Sequence, residues 1–278
     1  MKWSLHPVIL GQPLSLEQQL GIAREAGYDG LDIGVDAVAK LIDERGLDAV
    51  RGLFREYGVA PGGCGLPVDC MGPEDQFQAH LKSLPALVKV MADIDCPRTF
   101  TYFRPSTAGD PAEYRAFLIR RFKAVGEVLA DYGVRLGLEW LGPRHIRASG
   151  TPVIWKMSQT LDMIADMGLD NVGILFDVWH WFNAEDTLGE LRALRPEQIV
   201  HCHFNDAPDK PLDEQLDSQR EVPGKGIIPL VEVLRALRDI GYADYMAVEI
   251  FNEGLKAMPP IESALLVKQA CDRLMAQV

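Results

Sequence analysis

Four side chains able to bind a metal ion stand at the ends of four successive apolar, strand-like runs in the second half of the sequence. They are Glu139, Asp177, His203 and Glu249. An unpaired charge is costly inside a protein, so one such residue on each of four strands indicates a shared cation. Three carboxylates and one imidazole form a hard site suited to Mn²⁺, Mg²⁺ or Co²⁺, with Zn²⁺ also acceptable. The alternative is four unrelated strand-end residues that face solvent or cap helices.

The intervals between these residues agree with a repeating strand–helix unit. They run from 139 to 177, from 177 to 203 and from 203 to 249, and one such unit takes roughly 30 residues in an eight-unit barrel. Parallel strands around a barrel bring their C-terminal ends to one rim. Ligands far apart in sequence would therefore converge in space.

Strand-like and amphipathic helix-like runs alternate along the whole chain, which predicts one (β/α)₈ TIM barrel over residues 1–278. An open doubly wound sheet is less favoured because no GxGxxG motif follows an early strand. We expect a first strand from Trp3 to Leu10, a long helical stretch ending near Tyr57 and a helix at about 185–194. The long irregular segment Asn205 to Ile228 starts two residues after His203, so we expect it to cover a substrate pocket.

Composition narrows the class of protein. Hydrophobic residues make up 47% of the 278 positions and charged residues 24%, with a formal net charge of −12, as in an ordinary soluble enzyme. Without a dense basic cluster or a long apolar run, we expect neither nucleic acid nor membrane as a partner. Five cysteines without a CxxC pair, and the lack of a leader-like start, favour a cytoplasmic protein with free thiols.

Five short motifs in the expected order give the chain a resemblance to a known superfamily. The motifs are Leu138-Glu139-Trp140, Asp177-Val-Trp-His180, His203-Phe-Asn-Asp206, Arg220-Glu-Val-Pro-Gly-Lys-Gly226 and Val248-Glu-Ile-Phe251. Together they resemble the sugar isomerase/epimerase superfamily with a xylose-isomerase-like TIM barrel. Within that superfamily they match the pattern of the inosose (2-keto-myo-inositol) isomerases.

The resemblance implies roles for individual residues. Glu139, Asp177, His203 and Glu249 would bind one divalent cation, for which Mn²⁺ is our first expectation and Mg²⁺, Co²⁺ and Zn²⁺ are alternatives. Glu139 and Glu249 would also be the catalytic acid/base pair, and His180 and Arg220 would hold substrate oxygens. We add two substrate-binding candidates from the residues themselves.

These two candidates are His6 and Trp179. His6 belongs to the first strand-like run, where pocket and surface are both open to it, and Trp179 lies beside a proposed ligand. Aromatic walls suit the apolar faces of sugars, although tryptophan is also an ordinary packing residue. Strand alternation places His201 one layer below His203, where a hydrogen-bonded core role is expected.

The predicted activity is isomerisation or epimerisation of a keto-polyol, either a keto-inositol or a keto-sugar. A cation chelated by the substrate carbonyl and adjacent hydroxyl would stabilise an enediolate, while the two glutamates transfer the proton. Ketose 3-epimerases of the superfamily carry a second glutamate six residues after the first metal ligand. Here that position is His145, which makes simple ketohexose epimerisation less favoured.

Three alternatives remain open from the sequence. The first is a lyase acting on 3-keto-glycosides or a dehydroshikimate-like substrate with the same four ligands. The second is an endonuclease for abasic DNA, disfavoured by the acidic charge and only six histidines, and the third is a catalytically silent barrel. The exact substrate, the native metal and the oligomeric state, including a homo-oligomer, also stay open.

Overall fold

Eight parallel strands close into a barrel in the computed structural model, which describes all 278 residues. Each strand pairs with its two neighbours in chain order, and β1 pairs with β8 to complete the barrel. The predicted (β/α)₈ TIM barrel is therefore confirmed. The barrel strands are β1 (Lys2–Leu5), β2 (Gly30–Ile33), β3 (Ala60–Gly65), β4 (Arg98–Tyr102), β5 (Arg135–Glu139), β6 (Val172–Asp177), β7 (Ile199–His203) and β8 (Tyr245–Val248).

Helices surround the barrel and connect its strands. None of them is long and apolar enough to cross a membrane. A two-stranded antiparallel ribbon joins Ser106–Thr107 to Thr151–Pro152 beside the barrel. The helices are α1 (Leu16–Ala26), α2 (Val35–Arg45), α3 (Leu47–Tyr57), α4 (Glu74–Asp93), α5 (Pro111–Ala130), α6 (Arg144–Arg147), α7 (Met157–Met167), α8 (Val178–Asn183), α9 (Leu188–Arg192), α10 (Leu230–Asp239), α11 (Glu253–Lys256) and α12 (Pro260–Met275).

Local sequence explains where several of these elements begin and end. Ser15 caps α1 with the reciprocal hydrogen bonds of a capping box, and Gly27 ends that helix with a φ of 82°. The helical stretch expected to run to Tyr57 is instead two helices. Gly46 separates α2 from α3 with a φ of 85°, a backbone conformation that other residues rarely adopt.

Two other predicted elements are shorter than expected. The first strand ends at Leu5 rather than Leu10, because Pro7 begins a 3₁₀ helix, Pro7–Leu10, that His6 caps. The helix expected at about 185–194 is reduced to α9. Ahead of it the apolar run after Asp177 forms α8, a short helix that the sequence pattern did not predict.

The inside of the barrel is polar below the mouth. His201 Nε2 lies 2.9 Å from Asp32 Oδ2, and Ser4 Oγ donates to Asp32 Oδ1 over 2.6 Å. Space for this layer comes from Gly62, where a Cβ atom would overlap both Ser4 Oγ and Asp32 Oδ1. The expected hydrogen-bonded core role of His201 is confirmed, and its ring also stacks on Phe100 at a centroid distance of 4.8 Å.

Candidate metal centre

The four predicted ligands meet at the C-terminal mouth of the barrel. Glu139, Asp177 and His203 are the last residues of β5, β6 and β7, and Glu249 directly follows β8. Parallel pairing sets Asp177 directly opposite His203. One potential ligand atom from each of the four residues lies within 4.8 Å of the others. The barrel therefore gathers residues from four consecutive strands into one cluster, as their strand-end positions predict.

His203 lies at the centre of this cluster. Its Nδ1 atom is 3.2 Å from Glu249 Oε2, 3.6 Å from Glu139 Oε1 and 3.9 Å from Asp177 Oδ2. Neither ring nitrogen of His203 has a hydrogen-bond partner with acceptable geometry, and the buried Glu139 Oε1 also lacks one. Buried polar atoms normally have partners. Three hard oxygen donors and one imidazole nitrogen aimed at a common point fit a divalent cation.

The charges of the cluster act strongly on one another. Burial raises the pKa of Glu139 above its usual value, and His203 offsets this only in part. Burial also acts to raise the pKa of Glu249, but His203 and Arg220 outweigh it and hold that pKa well below normal. For His203, burial lowers the pKa, and the Glu249 and Glu139 carboxylates reverse the effect and hold it well above normal. The two glutamates therefore occupy different electrostatic environments.

Arg220 reaches this cluster from the long loop after β7. Its Nη1 atom donates to Asp177 Oδ2 at 2.8 Å and to Glu249 Oε2 at 3.0 Å. Its Nε atom donates to Asp217 at 2.8 Å. The guanidinium is buried between two aromatic rings, 5.1 Å from the Trp179 centroid and 5.0 Å from that of Phe251. Arg220 thus compensates the carboxylates and is held in a fixed orientation.

His180 and Trp179 belong to α8, the short helix whose N-terminus is capped by Asp177. The Asp177 Oδ1 atom accepts the Trp179 backbone N–H over 2.7 Å. His180 Nε2 lies 4.0 Å from Glu139 Oε2 and 3.4 Å from Arg220 Nη2. Continued strand alternation would turn His180 away from the face of Asp177, and the helix turn brings it into the same site. Trp179 is fully buried and packs against Arg220.

His6 directly follows β1 and approaches the carboxylate oxygen of Glu249 that His203 and Arg220 do not contact. Its Nε2 atom is 3.6 Å from Glu249 Oε1, and its ring centroid is 5.5 Å from that of His203. The Nδ1 atom accepts the Val8 backbone N–H over 3.3 Å, which orients the ring. The structure therefore brings the side chains of His6, His180 and Arg220 to the four ligands, and the Trp179 ring contacts Arg220 and His180. His145 lies in α6 and is exposed.

Asn205 has a clear position in the site, although the sequence left a loop-capping role and a ligand contact equally open to it. Asn205 Nδ2 donates to Asp177 Oδ1 and to the Glu249 carbonyl, each over 3.2 Å, and so links the end of β6 to the residue after β8. The sequence signal for it is its place inside the His203-Phe-Asn-Asp206 motif. Its amide orients a metal-ligand candidate, the kind of contact that tunes metal sites from the outside.

The neighbouring Asp206 anchors the loop that carries Arg220. Its Oδ1 atom accepts N–H groups of Ala207 and Ile228 at 2.9 and 3.0 Å, and Oδ2 accepts those of Gly224 and Gly226 at 2.9 and 3.0 Å. Gly226 has no room for a Cβ atom, because it would overlap the Ala207 carbonyl oxygen. The Pro-Gly-Lys-Gly segment therefore wraps around one carboxylate.

Comparisons with known proteins agree with this architecture. Residues 20–276 match the model of the family described as the xylose isomerase-like TIM barrel. The chain is 23% identical to an inosose isomerase of Bacillus velezensis over 273 residues, which covers 95% of this chain and 93% of that protein. It is 25% identical to a 3-dehydroshikimate dehydratase of Pseudomonas putida over 90% of this chain and 38% of that protein.

Solved structures show the same fold. A xylose isomerase domain protein from Alicyclobacillus acidocaldarius superposes with a TM-score of 0.92 at 31% identity, covering 100% of this chain and 99% of that one. The IOLI protein, described with a bound zinc atom, superposes with a TM-score of 0.85 at 18% identity. The superposition covers 100% of this chain and 99% of that one. Both likenesses extend over the whole barrel.

Proposed function

The chain belongs to the xylose isomerase-like TIM barrel family, and from that premise we propose that it is a divalent-metal-dependent isomerase or epimerase of a keto-polyol. Sugar isomerases and epimerases, or related lyases, are the activities of its named relatives. The observation that carries the proposal is the meeting of Glu139, Asp177, His203 and Glu249 at one point of the mouth. A keto-inositol or keto-sugar is the proposed substrate.

The four clustered residues would hold one divalent cation. When bound, the cation would supply positive charge against the negative charge that develops on substrate oxygens during proton removal. We propose Mn²⁺ as the native ion. A zinc-containing relative, the IOLI protein, makes Zn²⁺ the main alternative. Metal-dependent activity of protein reconstituted separately with Mn²⁺, Mg²⁺, Co²⁺ and Zn²⁺ would distinguish them.

Glu139 and Glu249 are the proposed proton-transfer pair. They come from β5 and β8, three strand positions apart, and approach His203 Nδ1 from separate strands at 3.6 and 3.2 Å. A substrate bound between them would present its α-hydrogen to one carboxylate and its neighbouring carbon or opposite face to the other. One glutamate removes the proton and the other returns one, which isomerises or epimerises the substrate.

Arg220 and His180 are proposed to bind substrate oxygens beside this pair. Their side chains lie 3.4 Å apart and both face Glu139 or Glu249. A guanidinium carries several N–H donors in a fixed plane, which suits two oxygens on adjacent carbons. His6, beside Glu249, would contact the ring of the substrate, and the fully buried Trp179 would act by holding Arg220 in place.

A lyase reaction is the second candidate, because a 3-dehydroshikimate dehydratase is also a relative. Both reactions begin when a carboxylate removes a proton next to a carbonyl. They differ in the next step, since a lyase expels a β-substituent. Product mass separates them, because an isomerase gives an isobaric product and a lyase releases a smaller fragment.

Five buried free cysteines support a reducing compartment, and we propose a cytoplasmic location. The proposed partner is a small polyhydroxylated ketone alone. Size-exclusion chromatography with light scattering would determine whether the chain forms a homo-oligomer.

Elemental analysis tests the metal site directly. Reconstituted wild-type protein is expected to hold one divalent ion per chain, and His203→Ala to hold much less because the central ligand is removed. His145→Ala is the matched control, since His145 is exposed and outside the cluster. Full metal retention in single alanine variants of all four ligands would refute the site.

Deuterium uptake tests the chemistry. Metal-loaded protein would be incubated in D₂O with keto-inositols, ketohexoses and 3-keto-glycosides, and substrate and product analysed by mass spectrometry. Proton abstraction is expected to place deuterium at the α-carbon of at least one compound, whichever product follows. Product formed by hydride transfer, without exchange in any compound, would contradict the proposed acid/base mechanism.

A further inference from the structure

Tyr102 is an exposed aromatic residue at the mouth of the barrel, next to a proposed catalytic glutamate. It ends β4 and pairs in register with Glu139 of β5, so their backbones are about 4.8 Å apart. Phe100, two residues earlier, stacks on His201 inside the barrel. Strand alternation therefore turns Tyr102 to the same side, one layer higher. With 58% of its surface exposed, it is the most exposed large hydrophobic side chain of the protein.

A cavity of about 540 Å³ opens beside Tyr102, between the end of β4 and residues 68–72. Two of the residues lining it, Arg104 and Asp69, carry charges without a counter-ion. Arg104 donates no side-chain hydrogen bond and forms no ion pair, although the protein has a net charge of −12. Asp69 uses Oδ1 to accept the Met71 and Gly72 N–H groups at 2.9 Å each, and Oδ2 has no partner.

Together these side chains offer an aromatic face, a free group of N–H donors and a free acceptor oxygen. A sugar ring has complementary chemistry, because its C–H face stacks on an aromatic ring and its hydroxyls both donate and accept. An anionic ligand would be repelled by Asp69 and by Asp110 and Glu113, which line the adjoining cavity. A cationic group would be repelled by Arg104. The chemistry therefore selects a neutral polyhydroxylated ring.

We propose that Tyr102, Arg104 and Asp69 form a subsite for a second sugar ring of the substrate. This inference rests on the proposed function and specifies its substrate class. The reacting ketone-bearing ring lies at the four metal ligands, and the second ring lies over Tyr102 on the β3–β4 side of the mouth. The substrate is then a keto-sugar joined to another ring and is larger than a free keto-inositol.

Binding of unreactive sugars to the metal-loaded protein tests the subsite without any turnover. The two-ring probes are cellobiose, maltose and trehalose, and the single-ring probes are glucose and myo-inositol, all titrated by calorimetry. At least one two-ring probe is expected to bind about ten-fold more tightly than either single ring, as one added aromatic contact allows. Tyr102→Ala should abolish this preference, and Tyr102→Phe should keep it because the ring remains.

Tyr132→Ala is the matched control, since Tyr132 is another exposed tyrosine that follows α5, before β5 begins. Arg104→Met and Asp69→Asn should each reduce the two-ring preference. Equal affinity of all probes, no measurable binding of the two-ring sugars, or an unchanged preference in Tyr102→Ala would overturn the subsite. Such results leave deuterium exchange on single-ring ketones unaffected, so they are distinct from failure of the proposed function.

Discussion

Replacing Asp206 with asparagine is expected to release the loop that brings Arg220 to the proposed metal ligands. The aspartate carboxylate accepts four backbone N–H groups, two at each oxygen. An asparagine carbonyl oxygen reproduces one pair, with Ala207 and Ile228 as donors. Its NH₂ group then faces the N–H groups of Gly224 and Gly226, so two donors meet two donors and both hydrogen bonds are lost.

The magnitude follows from the number of lost bonds. A hydrogen bond to a charged group contributes about 1.5–3 kcal/mol, so two of them amount to about 3–6 kcal/mol. Because each 1.4 kcal/mol is a factor of ten, the loop in Asp206→Asn should open about 10²–10⁴ times more often. The loss is local, since residues 205–228 follow β7 and are not part of the barrel strands.

Hydrogen exchange detected by mass spectrometry measures this opening. Peptides containing Gly224, Gly226 and Ile228 should lose protection, while those from β1 to β4 should not change. Activity should fall together with protection because Arg220 is no longer held at Asp177. Asp209→Asn is the matched control, as Asp209 lies in the same loop, is exposed and makes no side-chain hydrogen bond.

Unchanged protection in Asp206→Asn would refute this account of the loop. A loss of kcat/KM with full protection would have a different meaning. It would show that the Asp206 carboxylate acts on substrate directly and does not serve as the anchor of the loop.

Other substitutions test the site and its surroundings. Glu139→Gln and Glu249→Gln keep an oxygen ligand but remove the basic group, so each should lower turnover by about 10²–10⁴ in protein shown to contain metal; near wild-type turnover in both would refute their role. Arg220→Ala should lower kcat/KM by an amount equivalent to about 2–4 kcal/mol, and an unchanged value would remove Arg220 from the substrate site. Burial raises the pKa of Asp186 to about 7 from 3.8, so the folded state retains a proton that the unfolded chain releases. Stability should therefore fall as pH rises from about 4 to 7, by at most about 4 kcal/mol. Asp186→Asn, compared with wild type by denaturant unfolding at pH 5 and pH 8, should gain relative stability at pH 8, and an equal difference at both values would contradict this.

The barrel and the four clustered ligands could be predicted because both follow from short-range patterns. Alternating strand and helix signals imply a parallel sheet, and a charged residue at the end of an apolar run implies a position on the rim. Glu139 and Glu249 are 110 positions apart, yet neither needs a specific loop path to reach the mouth. Closure of the barrel alone brings their strands together.

The contacts of Arg220 could not be predicted in the same way. Arg220 lies in an irregular loop without hydrophobic periodicity, and its position depends on how Asp206 gathers backbone N–H groups. The pairing of His201 with Asp32 joins residues 169 positions apart, and no local pattern indicates it. The α8 helix does not follow from the sequence pattern because its apolar residues continue the β6 pattern, and the Asp177 carboxylate that caps it is equally expected as a metal ligand.

The four proposed ligands, Glu139, Asp177, His203 and Glu249, all lie in or directly after the strands β5 to β8. Any ion held there would bind only the assembled second half, and binding to the native state alone adds about 2.7 kcal/mol at a hundred times the dissociation constant. This gain in the free energy of unfolding would apply to the cooperative unit formed by β5–β8 and their connecting helices. The metal supply of the cell would then govern the lifetime of the protein as well as its catalysis. When the ion is scarce, the second half of the barrel would lose this stabilisation and open to proteases more often.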